Sequence, residues 1–220
     1  MSASRDRILG DIGKTLGGRV QDRMAEAERR IGSPRAGVIP ARGQGDRLAV
    51  FIGEARLADA TIDEARGAAE VPARVAGYLA GHSVAGIIKA APGLKTIPWR
   101  EQSGLDVAFG AAEPSDAVGV SGAFAGIAET GTVMLLSGPE CPTTLAFLPE
   151  THIVVLDAGR IVGAYEDAWA RLRVERPNAM PRSVNWITGP SRTADIEQTL
   201  FLGAHGPRRL HIVIVRDQEA

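Results

Sequence analysis

The chain has 220 residues, 45% of them hydrophobic and 23% charged, with a formal net charge of −1. That is enough to bury a substantial core without cross-links, and too nearly neutral for a general binder of nucleic acid or anionic membrane. The single cysteine, Cys141, excludes an internal disulfide framework and any zinc or iron–sulfur site built from cysteines of this chain.

In chain order, residues 4–16 carry Ile8, Leu9, Ile12 and Leu16 at helical spacing. Ser4 can cap that helix, and Gly17 and Gly18 can end it. Residues 20–30, VQDRMAEAERR, permit a helix but are almost wholly polar. Residues 32–45 are rich in Gly, Pro and Arg and read as a surface linker. The first 45 residues hold nine Lys/Arg against five Asp/Glu, which fits a solvated arm or a docking arm. Residues 1–45 are therefore expected to be a helical arm and linker, and 46–220 an α/β domain. No run approaches the ~18 apolar residues of a membrane span. The opening MSASRDRILGDIGKTLG lacks the apolar core of a signal peptide, so a cytoplasmic location is expected.

From Asp46 onward helices and strands alternate. Leu48, Phe51, Ile52 and Leu57 mark one helix, a second is predicted over 71–80 with Pro72 in its first turn, and a third over 165–176. Apolar segments at 84–90, 105–110, 116–122, 131–137, 152–157, 184–189 and 210–216 read as strands, several of them buried on both faces. The alternation points to an α/β fold with a mostly parallel sheet.

The P-loop, the dinucleotide-binding glycine spacing and the nucleophile elbow are all absent. His82, His152, His205 and His211 have no ligand spacing, so no metal site is expected. His152 and His211 each open an apolar strand and are expected to face solvent at its end.

Three loops remain as candidates. Glu129-Thr130-Gly131 precedes a buried strand, where a carboxylate can serve as nucleophile or general base; a plain turn with threonine hydrogen bonds explains it as well. Asp157 ends a strand and Arg160 follows, placed to hold an anion beyond a strand's carboxyl end; an Asp-capped turn with a surface arginine is the plainer reading. The third loop is TGPSR, residues 188–192. Gly189 permits close approach, and Ser191 or Thr193 can cap a short helix predicted around 193–200. The N–H groups of that helix, with Arg192, form an anion-receptive surface. Asp195 and Glu197 fit the first turn of that helix as stabilisers. His205, in the His-Gly-Pro turn that follows, is the loop's candidate titrating or catalytic group.

The blocks GIAETGTVMLL, LPETHIVVLDAGRIV and ITGPSRTADIEQTLFLGAHGPRRLHIVIV, in that order, resemble the lactate utilisation protein C family, the small LUD-domain proteins. The last block is the most specific, and the resemblance covers nearly the whole chain. It implies a three-layer α/β domain similar to the sugar-isomerase and coenzyme A transferase-like superfamily, with an N-terminal helical arm. It also implies a subunit without iron–sulfur clusters in a system that oxidises L-lactate to pyruvate. The clusters would reside in partner proteins, this chain would carry no cofactor of its own, and a small carboxylate is a candidate ligand. The resemblance supplies no catalytic residue. Two other readings stay open: a stand-alone acyl-CoA transferase-like or phosphosugar isomerase-like enzyme using Glu129, and a binding module without chemistry.

Overall fold

The computed structural model describes residues 3–16, 20–32, 39, 41–43, 45–193, 201–203 and 205–216. The chain divides into two compact units, residues 1–39 and 40–220. The first holds helices α1 (Ala3–Leu16) and α2 (Val20–Gly32). Helix α1 begins at Ala3, so Ser4 lies inside it and does not cap it; Gly17 and Gly18 lie outside the described residues. Ile8, Leu9 and Ile12 form an exposed apolar stripe. In α2, Glu26 pairs with Arg29 and Arg30 one turn on.

The second unit is built on a six-stranded, wholly parallel sheet. Its strands are β1 (Thr61–Ala65), β2 (Ile87–Ala90), β3 (Asp106–Phe109), β4 (Val118–Gly122), β7 (Thr151–Asp157) and β12 (Arg209–Val215), in the spatial order β1-β12-β7-β4-β2-β3. A second sheet has the order β8-β5-β6-β9, from β5 (Ala125–Ile127), β6 (Thr132–Leu136), β8 (Ile161–Val162) and β9 (Val184–Ile187). Within it β5–β6 and β6–β9 run antiparallel. The apolar run at 131–137 is thus a strand of this smaller sheet rather than of the parallel one. Among the described residues of this unit the α-helices are α3 (Arg47–Leu57), α4 (Val71–Gly81) and α5 (Tyr165–Glu175).

The period-2 alternation of strand side chains sets the layers. Val118, Val120, Ile153 and Val213 face α4, where Val75 and Leu79 meet them. Val154, Leu156, Ile212 and Ile214 face the other way, toward Val133 and Leu135 of the smaller sheet and Phe51 of α3. The outer face of the smaller sheet, with Ile127 and Met134, is covered by Ala168 and Leu172 of α5. Pro72 stands in the first turn of α4, where its missing N–H costs nothing.

Two strand-opening histidines depart from expectation. His152 and His211 are buried, not solvent-facing. Each stands inside a central strand. The segment carrying the 3₁₀ turn Thr143–Ala146 lies against Gly119, the strand neighbour of His152, and Tyr78 of α4 stacks on His211 at 3.9 Å.

Candidate functional site

The amino-terminal edge of the parallel sheet holds a pocket of about 240 Å³. Its floor is His152 of β7 and Leu210 of β12, which are register neighbours. One wall is Ala146 and Phe147. Glycine at 119 lets that segment approach, because a Cβ there would collide with the Leu145 carbonyl. A second wall is the end of β9 with the turn that follows it, Trp186 to Ser191, and the third is His205, Gly206 and Pro207. Backbone bonds tie the last two walls together: Ser191 N–H donates to the Pro207 carbonyl at 2.8 Å, and Gly203 N–H donates to the Ser191 carbonyl at 2.9 Å.

Gly189 shapes this turn. Its φ is +68°, and a Cβ would run into the carbonyl of Ala58 at the end of α3. Gly131, at φ +63°, meets α3 in the same way, against the backbone of Ala55. Only glycine meets both demands at once, a left-handed conformation and close backbone approach. The two candidate glycines therefore seat two loops on one helix end.

Thr188 connects those loops. Its hydroxyl lies 2.6 Å from that of Thr132, which lies 2.8 Å from Thr130 Oγ1 and 2.9 Å from the Tyr165 hydroxyl. Thr132 is the hub, its oxygen using one donor and two acceptor positions. Tyr165 packs edge-on against Trp186 of the pocket wall. Glu129 sits in the β5–β6 hairpin turn, 9% exposed, and its carboxylate makes no ion pair or hydrogen bond among the described residues. Its backbone N–H donates to the Gly163 carbonyl. The Glu129–Gly131 turn is thus a hydrogen-bonded neighbour of the pocket and not part of its lining.

The structure gathers Gly189, Ser191 and His205 in one pocket and brings Thr130 and Gly131 beside it. It separates Arg160. That residue follows β7 at the carboxyl edge of the sheet, in a different cleft of about 380 Å³ shared with Cys141, Glu175 and Arg176. Arg160 is already engaged, 3.3 Å from Glu175, 3.3 Å from the Phe124 carbonyl, and over the Phe124 ring. Asp157 caps its own turn by accepting from Gly159 N–H, the plainer of the two readings of that loop. Burial pushes the Cys141 thiol up from its usual range, which suits an unreactive sulfur.

Arg192 is also committed, donating to the Ala58 carbonyl and pairing with Asp59, both at 2.6 Å. With Thr193 it forms a two-residue strand, β10, antiparallel to β11 (Phe201–Leu202). The helix predicted around 193–200, with Asp195 and Glu197, otherwise lies outside the described residues.

His152 is the residue the sequence reading missed. Its Nε2 lies 2.8 Å from Ser121 Oγ, both residues are fully buried, and Nδ1 has no partner among the described residues. Desolvation pushes its pKa down to about 3, so the ring is neutral near pH 7. The available signal was two polar residues, Ser121 and His152, set into otherwise apolar strands, since buried polar groups are the informative exceptions. Among the described residues no group of three or more His, Cys, Asp or Glu gathers as a metal site, and no helix is long and apolar enough to cross a membrane.

Residues 113–215 match the LUD domain family. That stretch is thus similar to the LUD domain. Every residue lining the pocket falls within the stretch that matches. The chain is similar to a lactate utilization protein C of a Geobacillus species, 35% identical over 131 residues, covering 59% of this chain and 49% of that protein. It is also similar to an uncharacterized protein of Neisseria meningitidis, 45% identical over 97 residues, covering 44% of this chain and 41% of that protein. The matched stretches thus span less than half the length of these relatives. A crystal structure of a DUF162 family protein from Deinococcus radiodurans superposes with a TM-score of 0.60 at 25% identity, covering 77% of this chain and 96% of that one. The stretch that matches the LUD domain accordingly lies in an α/β unit and carries the pocket at the amino edge of the parallel sheet.

Proposed function

We propose that this LUD-domain chain serves L-lactate utilisation as a subunit that carries no iron–sulfur cluster, works with iron–sulfur partner proteins, and holds a small carboxylate in the pocket between Thr188 and Pro207. The observation that carries this reading is a coincidence of two kinds. The stretch that matches the LUD domain contains every lining residue of a pocket that suits a small polar ligand, and the chain is similar to proteins named lactate utilization protein C. At about 240 Å³ the pocket is smaller than the ~300–1,000 Å³ typical of drug-sized ligands. It combines an apolar floor and walls (Leu210, Ile187, Phe147) with convergent polar groups from Thr188, Ser191 and His205. The carboxylate would take its hydrogen bonds from the Ser191 hydroxyl and the His205 ring. A single cysteine leaves electron transfer through clusters to partners.

Two experiments test the reading. Deletion of the gene is expected to abolish growth on L-lactate as sole carbon source and leave growth on pyruvate intact. Tagged full-length chain is expected to co-purify with iron–sulfur proteins from lactate-grown cells. Unchanged growth on L-lactate, with no iron–sulfur protein recovered, would overturn it.

A further inference from the structure

The connections that leave the carboxyl ends of β2 and β4 part to opposite faces of the parallel sheet. The β2–β3 connection carries Ile97 and Trp99 onto the face that α4 covers. The β4–β7 connection carries Val133 and Leu135 onto the other face. Strands β2 and β4 are neighbours in the sheet. A crevice therefore opens between the two departing segments, at the position where open α/β sheets receive ligands. The cleft of about 380 Å³ lies there. Gly93 and Leu94 line it from the segment after β2, and Gly122, Ala123 and Phe124 from the end of β4. Its volume is within the ~300–1,000 Å³ usual for small-molecule sites, and it stands at the opposite edge of the sheet from the pocket floored by His152.

Arg160, beyond the carboxyl end of β7, and Arg176, just past α5, also line the cleft. A guanidinium carries five N–H donors. Every hydrogen bond that Arg160 makes, to Glu175 and to the Phe124 carbonyl, uses Nη1. Nε and Nη2 have no partner among the described residues and are not buried atoms. Arg176 is exposed and makes no ion pair among the described residues. Glu175 is shared between Arg160 and Arg171, at 3.3 and 3.8 Å, so this side of the cleft keeps a surplus of positive charge. The other lining carboxylate, Glu140, lies beside Gly93. Half-buried Leu94, Ala123 and Phe124 supply apolar surface.

We infer that this cleft is a second binding site, for an organic anion whose head group, a phosphate or a carboxylate, meets Arg160 and Arg176 and whose apolar body lies on Leu94, Ala123 and Phe124. The assignment is independent of the small-carboxylate pocket at the amino edge of the sheet.

Calorimetric titration of the full chain with 1-naphthyl phosphate, 1-naphthoate and the neutral 1-naphthalenemethanol measures the binding. Cys141, the chain's only cysteine, locates it, because this half-buried thiol lines the cleft. Its labelling by N-ethylmaleimide at alkaline pH, followed by intact mass, is slow because burial raises the thiol, and an occupied cleft should slow it further. At least one of the two anions is expected to bind about tenfold or more tighter than the alcohol, through charge-assisted hydrogen bonds to the arginines, and to protect Cys141. The tighter anion assigns the head group as phosphate or carboxylate. The double variant Arg160→Ala, Arg176→Ala should bring that anion down to the affinity of the alcohol. Arg176→Ala alone changes an exposed side chain, so the fold should be unaffected, and should weaken the anion about threefold or more. Equal affinity for all three probes, failure of both anions to bind, or binding that leaves the labelling rate of Cys141 unchanged would overturn the inference. None of these results bears on L-lactate at the amino-edge pocket.

Discussion

The Thr188 hydroxyl lies 2.6 Å from the Thr132 hydroxyl, joining the pocket's rim to the hairpin that carries Glu129. Thr132 is fully buried and bonded to three hydroxyls, whereas Thr188 is exposed. Thr132→Val keeps the shape and strands part of the cluster, so it should cost about 1–3 kcal/mol. Thr188→Val should cost less, about 1 kcal/mol or under, because water can replace the lost partner at an exposed site. Urea denaturation of the two single variants and the double variant checks both values, and the double-mutant cycle should return a favourable coupling between the pair.

Gly189→Ala should be among the most damaging small changes in the domain. The new methyl meets the Ala58 carbonyl, and the residue must hold φ +68°. Strain and collision together should cost about 2–4 kcal/mol. Gly206→Ala, in the same pocket, is the control. Its Cβ would stand 3.4 Å from Ser191 Cβ, an ordinary contact, with no left-handed conformation to maintain. Its cost should be under about 1 kcal/mol, and thermal unfolding of the pair makes the comparison.

How far the sequence reached depends on where each signal was written. The long apolar strands are local patterns, and β7, β9 and β12 lie where the runs predicted them. Strand β1, TIDEA, escaped because it is an edge strand with polar residues on display. Strands β5 and β8 have three and two residues, too few for a period. The run 131–137 looked like a parallel-sheet strand because both of its faces are covered, though by different layers. In the site, Gly189, Ser191 and His205 were legible because one loop region carries them. His152 and Ser121 were not, since their pairing joins strands 31 residues apart. Nothing in the order of residues indicates that Arg160 and Arg192 meet Glu175 and Asp59.

Those two arginines give a further prediction. Arg160 lies at the opposite edge of the parallel sheet from the pocket, and Arg192 is bound to Asp59 and Ala58 outside the pocket's lining. Arg160→Ala and Arg192→Ala should each leave the affinity for L-lactate unchanged in calorimetry. The Arg192–Asp59 pair is partly exposed, so its loss should cost no more than about 1 kcal/mol. A large loss of affinity in either variant would move the carboxylate site away from Ser191 and His205.

Glu129 separates the subunit reading from an acyl-transfer enzyme. Its carboxylate is buried in the hairpin turn and does not line the pocket. Glu129→Gln is expected to retain carboxylate binding and growth on L-lactate. Acyl transfer through this residue would instead leave a thioester on the parent protein after exposure to an acyl-CoA, cleavable by hydroxylamine and absent from the variant. Appearance of that adduct would favour the enzyme reading.

The two buried histidines set an acid limit on stability. Desolvation lowers His152 to about 3 and His211 to about 4, the latter despite the Asp63 carboxylate 3.6 Å away and with His82 adding to the depression. In the unfolded chain both rings protonate near 6.5. Below that pH the unfolded state binds protons that the folded state refuses, so stability is complete above about pH 6.5 and falls as pH drops toward 4 and then 3. Between pH 7.5 and 5.5 each ring should remove about 1.4 kcal/mol, while most carboxylates stay ionised in both states. Urea melts across that range should therefore lose about 2.7 kcal/mol from the two rings. A double variant, Ser121→Ala with His152→Leu, should lose about half as much, because only His211 still resists protonation. A parent protein equally stable at both pH values would mean that one or both rings accept a proton in the folded state, which the enclosed position of His152 between the two sheets argues against.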